Sequence, residues 1–119
     1  MTTDSAPDTI LPAELPHVVR AYLTAHGAGD AEAAARTFTP RAVVVDQGRT
    51  FTGAEEVLGF LRTAGSEFTY TSTVLGARRE DDDQWVVAVR LEGNFPGGVA
   101  TVDHRFRVTG ELISELTIG

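Results

Sequence analysis

Residues 67 to 118 read as one strand after another, and this constrains the fold more than any other feature of the chain. Segments 67–79, 84–95, Val99–Thr109 and Leu112–Ile118 are rich in Val, Thr, Ile and aromatic residues. They are separated only by turn-forming clusters: Glu80-Asp81-Asp82-Asp83, Asn94-Phe95-Pro96-Gly97-Gly98 and Thr109-Gly110. The second half of the chain is therefore expected to be sheet, and its helices are expected in the first half.

In that first half Pro16 suits a helix start, and Val18, Val19, Tyr22, Ala25 and His26 recur at helical spacing up to Gly27. Asp30 can cap a short second helix over 31–37, which Thr39-Pro40 ends. A strand over 42–45, the turn Asp46-Gln47-Gly48-Arg49 and the strand Arg49–Thr52 make a hairpin. Thr52 and Glu55 form a capping-box pattern for a third helix over 53–64, with Val57, Leu58, Phe60 and Leu61 on its apolar side and Gly65 ending it. The predicted order is αα-ββ-α-ββββ, an α+β arrangement.

A chain of 119 residues suits one domain, taken as 14–119, preceded by a flexible arm over 1–13 that lacks periodicity. Ten Lys and Arg against seventeen Asp and Glu give a net charge of -7, the wrong sign for nucleic acid or an anionic membrane surface. Without cysteine there is no disulfide, thiolate metal site or Cys nucleophile. The acidic turn at 80–83 lacks the spaced ligands of a calcium loop, so no metal is expected. No Lys, Arg or long apolar run opens the chain, which is the expectation for a cytoplasmic protein. G-x-S-x-G, P-loop and G-x-G-x-x-G motifs are all missing.

The stretch VRAYLTAHGAGDAEAAARTFTPRAVVVDQGRTFT, residues 19–52, resembles the first two helices and first hairpin of ketosteroid isomerases. Over residues 16–118 the element order resembles the superfamily that those enzymes share with SnoaL-like polyketide cyclases and nuclear transport factor two. The resemblance implies a cone: three helices packed on a strongly curved, mixed but mostly antiparallel sheet, with one interior pocket. It also implies roles. Tyr22 falls where the isomerases hydrogen-bond the substrate oxygen, and Asp46 falls where they keep the carboxylate that moves the proton.

The isomerases' third group, a protonated Asp, must come from the strand Val99–Thr109. There Val102, His104, Phe106 and Val108 alternate with Asp103, Arg105 and Arg107, so the apolar, inward face carries His104 and turns Asp103 outward. An Asp and His pairing of this kind resembles the SnoaL-like cyclases more than the isomerases.

Removing a proton beside a carbonyl needs a placed base and donors aimed at the oxygen where enolate charge develops. Asp46 is the candidate base, with Tyr22 and His104 as donors; such chemistry requires neither metal nor organic cofactor. His26, Phe60, Arg90 and Phe106 are the candidate ligand-binding residues, and His17 is expected in solvent. Plainer alternatives stay open: Tyr22 as a core aromatic, Asp46 bonding its own turn, His104 as a satisfied core histidine.

Trp85, Val87, Val89 and Leu91 form one apolar strand face. Val86, Ala88, Arg90 and Glu92 form a mixed one that invites a second subunit, so a homodimer is expected. The expected function is binding of a lipophilic small molecule in the cone, with cyclase- or isomerase-like proton transfer. The alternative is a non-catalytic ligand-binding or dimerising module of the same fold.

Overall fold

A computed structural model describes residues 9–67 and 70–119. The elements are β1 (Thr9–Ile10), a 3-10 turn (Pro12–Glu14), α1 (His17–Gly27), α2 (Ala31–Ala35), β2 (Phe38–Asp46), β3 (Arg49–Thr52) and α3 (Ala54–Glu67). Then come β4 (Tyr70–Asp81), β5 (Gln84–Gly93), β6 (Val99–Thr109) and β7 (Leu112–Ile118). One seven-stranded sheet runs in the order β1-β4-β5-β6-β7-β2-β3. Every pairing is antiparallel except β2 with β7. The α+β cone expected from the element order is the fold found.

Local chemistry explains most boundaries. Asp30 Oδ1 accepts from the Ala33 amide at 3.0 Å and caps α2. At the start of α3 the side chain that reaches back is Glu56, one residue beyond the expected Glu55: the Thr52 amide donates to its Oε1 at 2.8 Å. The helix continues past Gly65 to Glu67, since glycine weakens a helix without ending it. Strand β2 begins at Phe38 rather than Ala42. Its register with β7 shifts between Phe38 and Val43, an irregularity that accommodates Pro40, which has no amide to donate.

Residues 9–13 are not the loose arm expected of them. Thr9 and Ile10 pair with Arg78 and Ala77 of β4. The Leu11 amide donates to Glu14 Oε1 at 2.7 Å, and Leu15 is buried beneath. Residues 1–8 of that expected arm, and the start of the expected strand at 68–69, lie outside the described residues.

Helices α1 and α3 bury Val19, Tyr22, Val57 and Leu61 on the concave face of the sheet, against Val44, Val87, Phe106 and Leu116. Each such side chain contributes about 1.5–3 kcal/mol by leaving water. On the convex face Val86 is also buried. Its cross-strand neighbours are Arg78 and Arg105, both ion-paired to Glu80, so their aliphatic stems cover it. No helix among the described residues is long and apolar enough to cross a membrane.

Candidate functional site

At the open end of the cone lies a cavity of about 170 Å³ between the end of α1, the β2–β3 hairpin, α3 and strands β4 to β7. Leu23, Phe60, Val89, Leu91, Val102 and Ile118 make its walls largely apolar. The titratable groups that line it are Asp46, His26, Tyr70 and His104. Among the described residues, no three His, Asp or Glu side chains gather as metal ligands.

Asp46 ends β2, paired with Ile118 on one side and Arg49 on the other. The hairpin closes through Gln47 and Gly48, both at positive φ (52° and 82°), a two-residue turn whose twist matches the strands. This geometry leaves the Asp46 carboxyl at the cavity. Among the described residues it accepts no hydrogen bond from its own turn. Desolvation raises its pKa above the ordinary 3.8, outweighing the opposing charge of Arg49.

His104 on β6 is 4% exposed, and its Nδ1 has no hydrogen-bond partner among the described residues. Burial and the nearby His26 push its pKa down to about 4, so the ring is neutral at pH 7. His26 is one helical turn after Tyr22 and stacks on it, with centroids 5.5 Å apart and planes 8° from parallel. Burial lowers its pKa too. Its Nε2 lies 3.2 Å from the Tyr70 hydroxyl. Burial, then the charge of Asp46, raises the Tyr70 pKa.

The profile of the SnoaL-like domain matches residues 19–116. The chain belongs to the SnoaL-like family. A Sinorhizobium meliloti protein provisionally named a polyketide cyclase is similar to this SnoaL-like chain: 29% identity over 92% of this chain and 100% of that one, TM-score 0.85. A Catenulispora acidiphila protein of ketosteroid isomerase-like fold, solved with trimethylamine, shares 22% identity over 87% of this chain and 85% of its own, TM-score 0.75. A Mycobacterium tuberculosis protein solved with estradiol-17β-hemisuccinate shares 18% identity over 85% of this chain and 88% of its own, TM-score 0.71. No curated protein matches.

Within this SnoaL-like domain the expected residues divide. Asp46, His104, His26 and Phe60 line the cavity, and Asp103 falls on the opposite face of β6, beside Ala88. Tyr22 does not line it. Its ring is fully buried against the edges of Phe38 (5.6 Å) and Phe106 (5.5 Å), and its hydroxyl is buried without a partner among the described residues. Burial, with smaller effects of Tyr70 and Asp46, raises its pKa well beyond the usual phenol range.

Two ligand-binding expectations are corrected. Phe106 is fully enclosed in the core beneath the cavity. Arg90 is exposed on the convex face, 3.5 Å from Glu92, because its strand neighbours Val89 and Leu91 take the concave face. Tyr70 and Ser72 are lining residues that the sequence reading missed. The signal was the alternation Tyr70, Ser72, Val74, which a bulge at Leu75 breaks before the rest of β4.

Proposed function

We propose that this SnoaL-like protein binds a lipophilic carbonyl compound in the cavity and moves a proton next to the carbonyl, with Asp46 as the base. One observation carries the proposal: a carboxyl with no hydrogen-bond partner among the described residues faces a mostly apolar cavity, and desolvation there raises its proton affinity. Neutral His104, with a ring nitrogen unpaired among the described residues, can donate to the oxygen where enolate charge develops. The bound trimethylamine and estradiol-17β-hemisuccinate of two proteins of the same fold agree with a cone that takes small molecules. From the enolate, reprotonation elsewhere is isomerisation, attack on a second carbonyl is cyclisation, and loss of a hydroxyl is dehydration.

A ligand-binding module without chemistry is the second reading. It draws on Tyr22, the donor expected beside Asp46, whose hydroxyl lies outside the cavity lining. A screen of cyclic ketones by thermal shift, followed by α-proton exchange in deuterated water, separates the two. Under the enzymatic proposal a ketone stabilises both wild type and Asp46→Asn, but exchange falls by about 100-fold or more in the variant. Binding with equal exchange in both supports the module.

The proposal keeps the protein in the cytoplasm as a homodimer paired through the convex face around Ala88. Monomer mass in light scattering at micromolar concentration would refute that pairing.

A further inference from the structure

We propose that Tyr70, positioned by His26, is the hydroxyl that hydrogen-bonds the ligand's oxygen, so that the cavity selects an enol, enolate or phenol oxygen on an apolar body. The inference rests on the cavity being the binding site for a carbonyl compound, and it moves the donor role from Tyr22 to a residue on another element. The chain has two tyrosines. Tyr22 is fully buried and absent from the cavity lining, whereas Tyr70 is half-buried and lines it. Both hydroxyls feel the charge of Asp46, so both lie toward the same end of the cone, but among the described residues only Tyr70 has a supporting partner there.

That partner is His26, whose Nε2 is 3.2 Å from the Tyr70 oxygen. The imidazole is itself held flat on the Tyr22 ring. A neutral imidazole carrying its proton on Nε2 donates to the Tyr70 oxygen, and the phenol proton is then free to donate to the ligand. The end of α1 is close enough to β4 to fix this pair: a side chain added at Gly27 would meet Ser72 Oγ at 3.7 Å. His26 thus acts through Tyr70 as a positioning residue. Apart from Asp46, Gln47, Ser72 and His104, the remaining walls, including Leu23, Val89 and Val102, are apolar, which suits a largely apolar ring system carrying an oxygen.

The probe is 2-naphthol, an aromatic enol, with naphthalene as the control that lacks the oxygen. Protein labelled with carbon-13 at the tyrosine ζ position gives two signals, and Tyr22→Phe leaves Tyr70's alone. The proposal expects 2-naphthol to shift the Tyr70 signal and leave Tyr22's nearly in place. Tyr70→Phe should weaken 2-naphthol binding by about tenfold, the loss of one well-made hydrogen bond, without changing naphthalene binding. His26→Gln, which retains a donor, should bind 2-naphthol more tightly than His26→Phe, which keeps only the stack.

If 2-naphthol binds while the Tyr70 signal stays still, Tyr70 is not the donor, and the cavity keeps its proposed function. The labelled wild type decides this even if Tyr70→Phe does not fold. If neither 2-naphthol nor naphthalene binds wild type, the binding function itself falls and the inference with it.

Discussion

At the closed end of the cone Val44, Phe106 and Tyr22 are fully buried against one another's elements; at the open end Asp46, His104 and His26 line a cavity. Each pair is adjacent along its own element. Two residues along β2 lead from Val44 to Asp46, two along β6 from Phe106 to His104, and one turn of α1 from Tyr22 to His26. Strand period two and helix period 3.6 keep all six on the concave side, so the same packing that holds the apolar residues also aims the polar ones. The closed end supplies rigidity, and the open end places desolvated titratable groups on that rigid base.

The largest test of this division is Phe106→Ala. Removing a fully buried ring between Tyr22 and His104 should cost about 3–5 kcal/mol in urea unfolding. A cost below about 1 kcal/mol would mean that the closed end is not the packed anchor.

Next in size is the acid response of the open end. The His104 pKa is about 4 in the folded state against 6.5 when unperturbed, so below pH 6.5 the unfolded chain takes up the proton first. Stability should therefore fall as pH drops from 6.5 toward 4, by about 3 kcal/mol in all, with His26 acting in the same direction. Urea midpoints at pH 7 and pH 4.5 check this, and His104→Phe should flatten most of the slope. An unchanged slope would mean that His104 is not held neutral.

The smallest effect has the opposite sign. Tyr22→Phe removes a buried hydroxyl that has no partner among the described residues and should raise stability by about 1 kcal/mol, read as a higher melting temperature. A clear loss would reveal a hydrogen bond at Tyr22 and make the two ends more alike.

The closed end was far more legible in the sequence than the open one, for physical reasons. Val19, Tyr22, Val57 and Leu61 at helical spacing, and Phe106 and His104 in strict alternation, announce their faces directly. Arg90 is also legible: alternation sets it opposite Val89 and Leu91, on the convex face. Tyr22 shows the limit of this reasoning. Its spacing marks it as inward, but how deep it sits depends on Phe38 and Phe106, far away in the chain.

Tyr70 was hidden because the bulge at Leu75 puts the two halves of β4 out of phase, so one alternation does not describe the strand. Strand β1 was hidden for a different reason. Two residues carry no periodicity, and their partners Arg78 and Ala77 are distant in sequence.

The central claim is that Asp46 is a partly desolvated carboxyl facing a cavity that takes a ligand. Carbon-13 NMR titration of the Asp46 carboxyl, with and without 2-naphthol, tests it most directly. The account predicts a pKa above the ordinary 3.8 in the free protein, rising further when the apolar rings displace water from the cavity. A value at or below 3.8 that ignores the bound naphthol would contradict it.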